Sequence, residues 1–555
     1  MVAPTAADAV AAPPAPALAP DTAAERTWTY ASLGVLLAAA ALRMYALELK
    51  PMHHDEGVNG FFLTTLVRQG VFKYDPTNYH GPTLYYLTLP SVVLFGLGNF
   101  ALRLVTAAFG IAIVWLVLCL RRYIGTYGTL AAAALVAVSP GAVFYSRYFI
   151  HEMLFVFFAL GLVVAALRFH ETGRALYLML AAASAALLFA TKETAFVNVG
   201  TLALAWLVAW YWAPRVAPQR QRAGAGNARG GRHAKHEEDG EVSARTLSAL
   251  FGGAERAPRL IVGAVALFLF VGVLFYSSFF TNWEGVGGAI EALKVWSKTG
   301  TSDFHGKPFG TYLTLLFQGE APIFILAATG SAIALFERRK SRFAIFAGAW
   351  AFGMLLAYSL IPYKTPWLML SFTVPMCIAA GYAVQSLAKR SWGGLKAPAP
   401  ALLVAGLAAA LCAYQATVLN FREYDNDQYP YVYAHTHREF HALVGEIERL
   451  AESAGTKQLN VTVASPDYWP MPWYFRDNPN VGYVGTLSER YDPQVAPVVI
   501  GRESADANVD QTAKLRETLG AEYGQAGIYT LRPGVRLALF ARRDLASQGR
   551  AQALR

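Results

Sequence analysis

The sequence predicts a mainly α-helical, polytopic membrane protein carrying a small α/β domain at its C-terminal end. Three observations predict it. Of the 555 residues, 55% are hydrophobic and only 15% are charged, against about 25% charged in an average soluble domain. Apolar runs close to 20 residues long, the length that crosses a bilayer, recur through the first 420 residues. Beyond Phe421 the pattern changes to short helical and β-like runs with 15 Lys/Arg and 17 Asp/Glu, a net charge of −2. The overall charge of +10 therefore divides into −2 there and +12 among the apolar runs. A basic surplus placed that way marks membrane topology and not a nucleic-acid partner. An ordinary cytosolic enzyme, a disordered chain and a small disulfide scaffold are excluded by the same composition.

Residues 1–27 begin as an Ala/Pro tract, MVAPTAADAVAAPPAPALAP. The tract lacks a basic start and a continuous apolar stretch, and is expected to be a disordered cytoplasmic tail and not a cleaved signal peptide. Eleven spans are expected near 28–47, 101–120, 128–146, 152–168, 174–191, 195–213, 259–280, 311–336, 343–361, 366–386 and 399–419. A further run, Thr83 to Gly98, is shorter and broken by Pro90. If it does not cross and the N-terminus is cytoplasmic, the inner face holds 21 Lys/Arg against 11 outside, while acids divide 10 and 10. Counting it as a span inverts every later loop, so the positive-inside rule makes it a re-entrant or membrane-surface segment of the first external loop, residues 48–100. The 214–258 loop, Gly/Arg-rich, is expected to be a disordered cytoplasmic linker. Cys119, Cys377 and Cys412 each lie within an apolar run and read as buried thiols.

The same parity places residues 421–555 outside. Helices are expected at Glu439–Ala451 and Asn508–Leu519, and strands at Leu459–Ala464, Val495–Ile500, Gly527–Leu531 and Val535–Ala541. The expected location is the cell (plasma) membrane, multi-pass, N-terminus inside and the C-terminal domain external or periplasmic.

With sidedness assigned, the unusual polar residues gather on the external face. The first loop opens Pro51-Met52-His53-His54-Asp55-Glu56-Gly57 and continues to Asn78-Tyr79-His80-Gly81-Pro82. The second reads Tyr145-Ser146-Arg147-Tyr148-Phe149-Ile150-His151-Glu152, the third holds Thr191-Lys192-Glu193-Thr194, and the fifth Tyr363-Lys364-Thr365-Pro366-Trp367. Any one such cluster is explained by the charges that mark an interface. Asp55, Glu152, Lys192 and Lys364 on four external connections point instead to a site half in and half out of the bilayer. A divalent cation at His53, His54 or Asp55 stays open, though adjacent histidines are not a ligand spacing on one element. No other cofactor is called for.

The order of these pieces resembles the dolichyl-phosphate-mannose protein mannosyltransferase family. The shared pieces are an acidic pair after the first span, His-Gly-Pro before an aromatic run, Tyr-Ser-Arg with an acid five residues on, Thr-Lys after a helix, and a late Lys-Thr-Pro-Trp. That family has the GT-C fold, as does the lipid A aminoarabinose transferase. His-His-Asp-Glu-Gly, Ile-Pro-Tyr-Lys-Thr-Pro-Trp and Trp-Pro-Met-Pro-Trp-Tyr together resemble its flippase-activity-associated subgroup. The likeness covers roughly residues 28–390. It implies that Asp55 is a catalytic base or metal-linked acid, that Glu152 is the second-loop acid, and that Lys364 and His80 lie near a lipid phosphate.

The activity this implies is transfer of a sugar from a polyprenyl-phosphate donor to a glycan, lipid or protein acceptor at the external face, with inversion. A leaving phosphate needs fixed cations, for which Lys364 comes first, then Arg147 and Lys192. The attacking hydroxyl needs a proton acceptor, for which Asp55 is the candidate. Glu56 and Glu193 tune their neighbours or contact substrate, and Glu193 alternatively pairs with Lys192. His54 orients Asp55 or meets a metal, and Tyr363 and Trp367 complete the substrate contacts. In Tyr468-Trp469-Pro470-Met471-Pro472-Trp473-Tyr474-Phe475, Trp469 and Trp473 either stack on sugar or pack onto the membrane domain. His435, His437 and His441 read as a solvated helix start. The rival reading is a non-catalytic transporter or flippase accessory that binds lipid-linked glycans. Against it, the ionisable groups cluster at one surface and not at mid-membrane.

Overall fold

The computed structural model describes residues 22–78, 80–213, 253–300, 306–338, 340–390, 398–486 and 496–545. Most of the expected tail and most of the 214–258 linker lie outside these residues. All eleven expected runs are helical. In chain order the first part comprises α1 (Thr22–Met44), α2 (His54–Gln69), α3 (Thr83–Phe95), α4 (Asn99–Leu118), a single turn α5 (Arg121–Ile124), α6 (Thr126–Val138) and α7 (Pro140–Ser146). There follow α8 (Glu152–Thr172), α9 (Ala175–Thr191), α10 (Ala195–Trp212), α11 (Gly253–Tyr276) and α12 (Glu284–Gly300). The bundle closes with α13 (Thr311–Gly319), α14 (Ala321–Phe336), α15 (Arg342–Leu360), α16 (Leu370–Ala388) and α17 (Ala399–Phe421). Among the described residues, seven helices are long and apolar enough to span a membrane, or nine with two bent pairs counted as one span each. The chain is a multi-pass membrane protein.

Two runs expected as single spans are broken. α6 and α7 meet at 55° and α13 and α14 at 110°. Prolines account for both, because Pro140 and Pro322 fall in the first turn of the second helix of each pair, where their missing N–H costs nothing but continuation from before them does. The two breaks are joined. Glu320 Oε1 accepts from Ser139 Oγ at 2.7 Å and from Gly141 N at 2.9 Å, which satisfies backbone that the bend sets free. α16 is the axial helix, almost wholly buried, whereas α11 and α17 lie on the outside of the bundle.

α3, at 13 residues, is about 20 Å long, too short for a full span. Val93, Leu94 and Phe95 at its end are strongly exposed. α12, in a segment for which no element was expected, is amphipathic and contributes Trp296 and Thr299 to the lining of the site. Cys377 and Cys412 are buried and Cys119 is half-buried.

The C-terminal part folds as a five-stranded sheet of order β2-β1-β3-β5-β4, with β1 (Val461–Ala464), β2 (Val481–Tyr483), β3 (Val498–Glu503), β4 (Tyr523–Arg532) and β5 (Val535–Arg542). β1 runs parallel to β2 and β3, and β5 antiparallel to β3 and β4. α18 (Glu439–Ser453) packs Phe440, Leu443, Ile447 and Leu450 on one face, and α20 (Thr512–Leu519) packs Leu515 and Leu519 on the other. Between β1 and β2 lies the single turn α19 (Met471–Tyr474). β2 went unforeseen because three residues show no alternation, and α20 begins four residues later than expected. This unit seats on the first loop, where Thr436 Oγ1 donates to Met52 O at 2.7 Å and Met52 N donates to Tyr474 Oη at 2.9 Å.

Candidate active site

The site is built from the start of α2. His53 caps that helix, with Nδ1 accepting from Asp55 N at 3.0 Å. Nδ1 is thereby the unprotonated nitrogen, so Nε2 carries the proton and donates to Tyr433 O at 3.1 Å. Glu56, three residues into the helix, returns the capping bond, its Oε2 accepting from His53 N at 3.0 Å. Successive residues on a helix point about 100° apart. Glu56 consequently faces the core, 1% exposed, while Asp55 faces a cleft with 39% of its side chain exposed.

The cleft has a volume of about 230 Å³. Eight residues expected at the site line it: His54, Asp55, His80, Glu152, Lys192, Glu193, Tyr363 and Trp367. Lys192 Nζ lies 2.5 Å from Glu152 Oε1, which ties the C-terminal end of α9 to the start of α8. His80 Nδ1 lies 2.9 Å from Glu193 Oε2, so Glu193 pairs with His80. Gly81 explains the His-Gly-Pro run: a Cβ there would collide with the Ala190 carbonyl, and Gly81 N donates to Thr191 O at 3.1 Å. Only glycine lets this loop lie on the end of α9 and present His80.

Burial and, next, the charge of Glu152 push the Asp55 carboxyl up to about 6. Burial, with Arg532 nearby, holds His54 down to about 4, so that it is neutral. Asp55 is thus a carboxylate near neutral pH and a stronger base than an ordinary one.

The remaining expected residues fall elsewhere. Glu56 is engaged by Arg103 in a two-pronged ion pair, Nε to Oε1 at 2.7 Å and Nη2 to Oε2 at 2.6 Å. It also accepts from Phe149 N at 2.9 Å, and it does not reach the cleft. Arg147 is fully buried, its guanidinium given to the carbonyls of Leu42, Arg43, Tyr45 and Ala46 at the end of α1, a cap for orphaned helix carbonyls. Lys364 is buried, donating to Ile361 O at 2.6 Å and Lys307 O at 3.1 Å, and does not line the cleft. Trp473 is buried beneath Gly60 of α2 and donates to Asn99 Oδ1 at 2.7 Å, which makes it a docking residue. Trp469 sits outside the lining, with its ring 6.1 Å from that of His54.

Among the described residues, no group of three or more His, Cys, Asp or Glu is placed to hold a metal ion. His53 is committed to its cap and to Tyr433, while His437 lies 3.7 Å from Asp425 and His441 3.3 Å from Tyr474 Oη. Sequence reasoning missed Asn59, Asn78, His151, Trp296, Thr299 and Tyr358, all of which line the cleft. Asn59 was findable, one helical turn beyond Asp55 on the same face. Trp296 and Thr299 belong to α12, and Tyr358 to an otherwise apolar span.

Beside the cleft lies an apolar cavity of about 190 Å³ between α9, α11 and α12, lined by Phe189, Phe268, Tyr276, Ile290 and Leu293 among others. Glu193 borders both cavities.

Residues 79–218 match the sequence profile of the Dolichyl-phosphate-mannose-protein mannosyltransferase family. Among curated proteins, none matches the sequence. The fold is similar to that of ArnT from Cupriavidus metallidurans in the apo state, with a TM-score of 0.62 and 14% identity over 94% of this chain and 99% of that one. The same protein bound to undecaprenyl phosphate matches with a TM-score of 0.55 and 15% identity over 95% and 99% of the two chains. Sharing that fold along almost its whole length, and matching the mannosyltransferase family over residues 79–218, the chain is a membrane protein of the GT-C fold.

Proposed function

We propose that the protein is a glycosyltransferase that moves a sugar from a polyprenyl-phosphate donor to a hydroxyl acceptor on the external face of the plasma membrane. One observation carries this reading: the polar cleft around Asp55 adjoins an apolar cavity, and Glu193 borders both. An amphiphilic donor has that division, its phosphosugar polar and its lipid apolar. ArnT of similar fold, which binds undecaprenyl phosphate, supports the same donor class.

In the proposed reaction Asp55 accepts the proton of the acceptor hydroxyl as its oxygen attacks the anomeric carbon. The bond from that carbon to the phosphate oxygen breaks, and the phosphate leaves with the electron pair. A single displacement inverts the anomeric carbon. The His53 cap holds Asp55 in place, and the Lys192–Glu152 and His80–Glu193 pairs form the wall at the donor end. Tyr363 and Trp367 offer ring faces to sugar, with Trp469 at the rim. Lys364 and Arg147 act here by holding backbone, and Glu56 by holding α2. The positive-inside distribution supports a cytoplasmic N-terminus and an external C-terminal sheet.

The test is transfer by the purified full-length chain from a radiolabelled undecaprenyl-phosphate sugar to a membrane extract. Incorporation that is lost in Asp55→Asn supports the reading. Donor binding without any transfer makes the protein a non-catalytic accessory instead.

A further inference from the structure

The cleft as built is poor in positive charge. Among the described residues, its lining holds three carboxylates, Asp55, Glu152 and Glu193, against one ammonium, Lys192, which already lies on Glu152. A sugar donor brings a phosphate whose charge grows as it leaves, and growing negative charge needs a cation not neutralised elsewhere. Lys364 and Arg147 are committed to backbone carbonyls.

Lys307 is different. Its side chain is half-buried, and Nζ sits 4.0 Å from the centroid of the Tyr433 ring. Among the described residues it meets no carboxylate in an ion pair and gives no side-chain hydrogen bond. Its backbone, by contrast, is clamped. Gly306 pairs with Tyr363 as an antiparallel bridge, Lys307 N donates to Pro362 O at 3.1 Å, and Lys364 Nζ donates to Lys307 O at 3.1 Å. Tyr363 and Trp367 line the cleft, and the Trp367 ring is 6.0 Å from that of Tyr433. The clamp therefore sets a flexible ammonium, held only by an aromatic face, at the edge of the cleft. An ammonium leaves a ring for a phosphate readily, because a cation–ring contact at an accessible site is weaker than a charge-assisted hydrogen bond.

We infer that Lys307 is the residue that takes the phosphate of the lipid-linked donor, moving from Tyr433 to the phosphate, while Lys364 positions it through the backbone. The inference rests on the donor class proposed above. Undecaprenyl phosphate is titrated into the detergent-solubilised full chain, for the natural protein and for Lys307→Ala and Lys307→Arg, and donor KM and kcat are measured alongside. Lys307→Ala is expected to weaken undecaprenyl phosphate binding about tenfold or more and to raise donor KM. Lys307→Arg is expected to restore most of the binding, and the difference between natural protein and Lys307→Ala shrinks as salt is raised. Binding by Lys307→Ala within about twofold of the natural protein, with an unchanged salt dependence, overturns the inference. If the natural protein itself does not bind undecaprenyl phosphate, the donor reading fails first and takes this assignment with it.

Discussion

Arg103 of α4 grips Glu56 of α2 with both prongs, at 2.7 and 2.6 Å, and spends its remaining donors on the carbonyls of Leu47, Lys50 and Pro51. Glu56 in turn accepts from Phe149 N and His53 N. One buried ion pair thus joins the start of α2, α4 and the turn that precedes α8, and so ties together the segments that carry Asp55 and Glu152. The acid beside the proposed base is architectural, and the separation of roles follows from the helical turn between neighbours.

Removing one partner of such a pair leaves a charge buried without compensation, which costs about 3–5 kcal/mol. Glu56→Gln and Arg103→Met are each expected to lower thermal stability by that order in detergent, and the double variant is expected to recover part of the loss. A melting curve unchanged in Glu56→Gln would contradict this role.

Asp55→Asn is expected to reduce sugar transfer by about 10²–10⁴-fold, the range for loss of a general base, while leaving donor binding intact. It is not expected to destabilise the protein. A carboxyl raised from its ordinary value to about 6 contributes stability when protonated, fully at pH below about 4, and loses it as pH rises through about 6. At pH 8 the neutral amide should therefore melt no lower than the natural protein.

The same shift sets a pH profile. Asp55 is protonated and inactive as a base below about 6, so kcat/KM should fall on the acid side with a midpoint there. Glu152→Gln removes a like charge that raises the Asp55 pKa and releases Lys192, and both effects lower it. The acid limb should move to lower pH, and a limb that stays put would separate Asp55 from Glu152.

Gly81→Ala is expected to cost about 1–3 kcal/mol and to lower activity, because its Cβ would meet the Ala190 carbonyl and push His80 away from Glu193. Activity assays with a stability control read both effects, and wild-type behaviour in both would show that the loop can relax.

Lys364→Ala removes the two bonds that pin residues 307 and 361. We expect weaker donor binding in both Lys364→Ala and Lys307→Ala, but about 1–3 kcal/mol of lost stability only in Lys364→Ala, since Lys307→Ala should melt like the natural protein.

The sequence by itself determined what depends on composition and local order. Hydropathy and basic clusters marked all eleven helical runs, the short α3 and the gathering of polar loops, because the bilayer acts on each segment separately. The helices and most of the strands of the C-terminal unit were legible from their own periodicity. Only the tertiary structure decided which side chains of those loops meet. Glu56 and Asp55 are adjacent in sequence yet lie on opposite sides of a helix wall, and Lys364, Arg147 and Trp473, all attractive by type, are consumed by backbone carbonyls or by Asn99. Lys307 carries no motif, and its place follows from a bridge between segments more than 50 residues apart. A charged residue near a span end advertises its presence in the sequence, but whether its charge is free depends on partners brought from distant parts of the chain, and packing alone sets those.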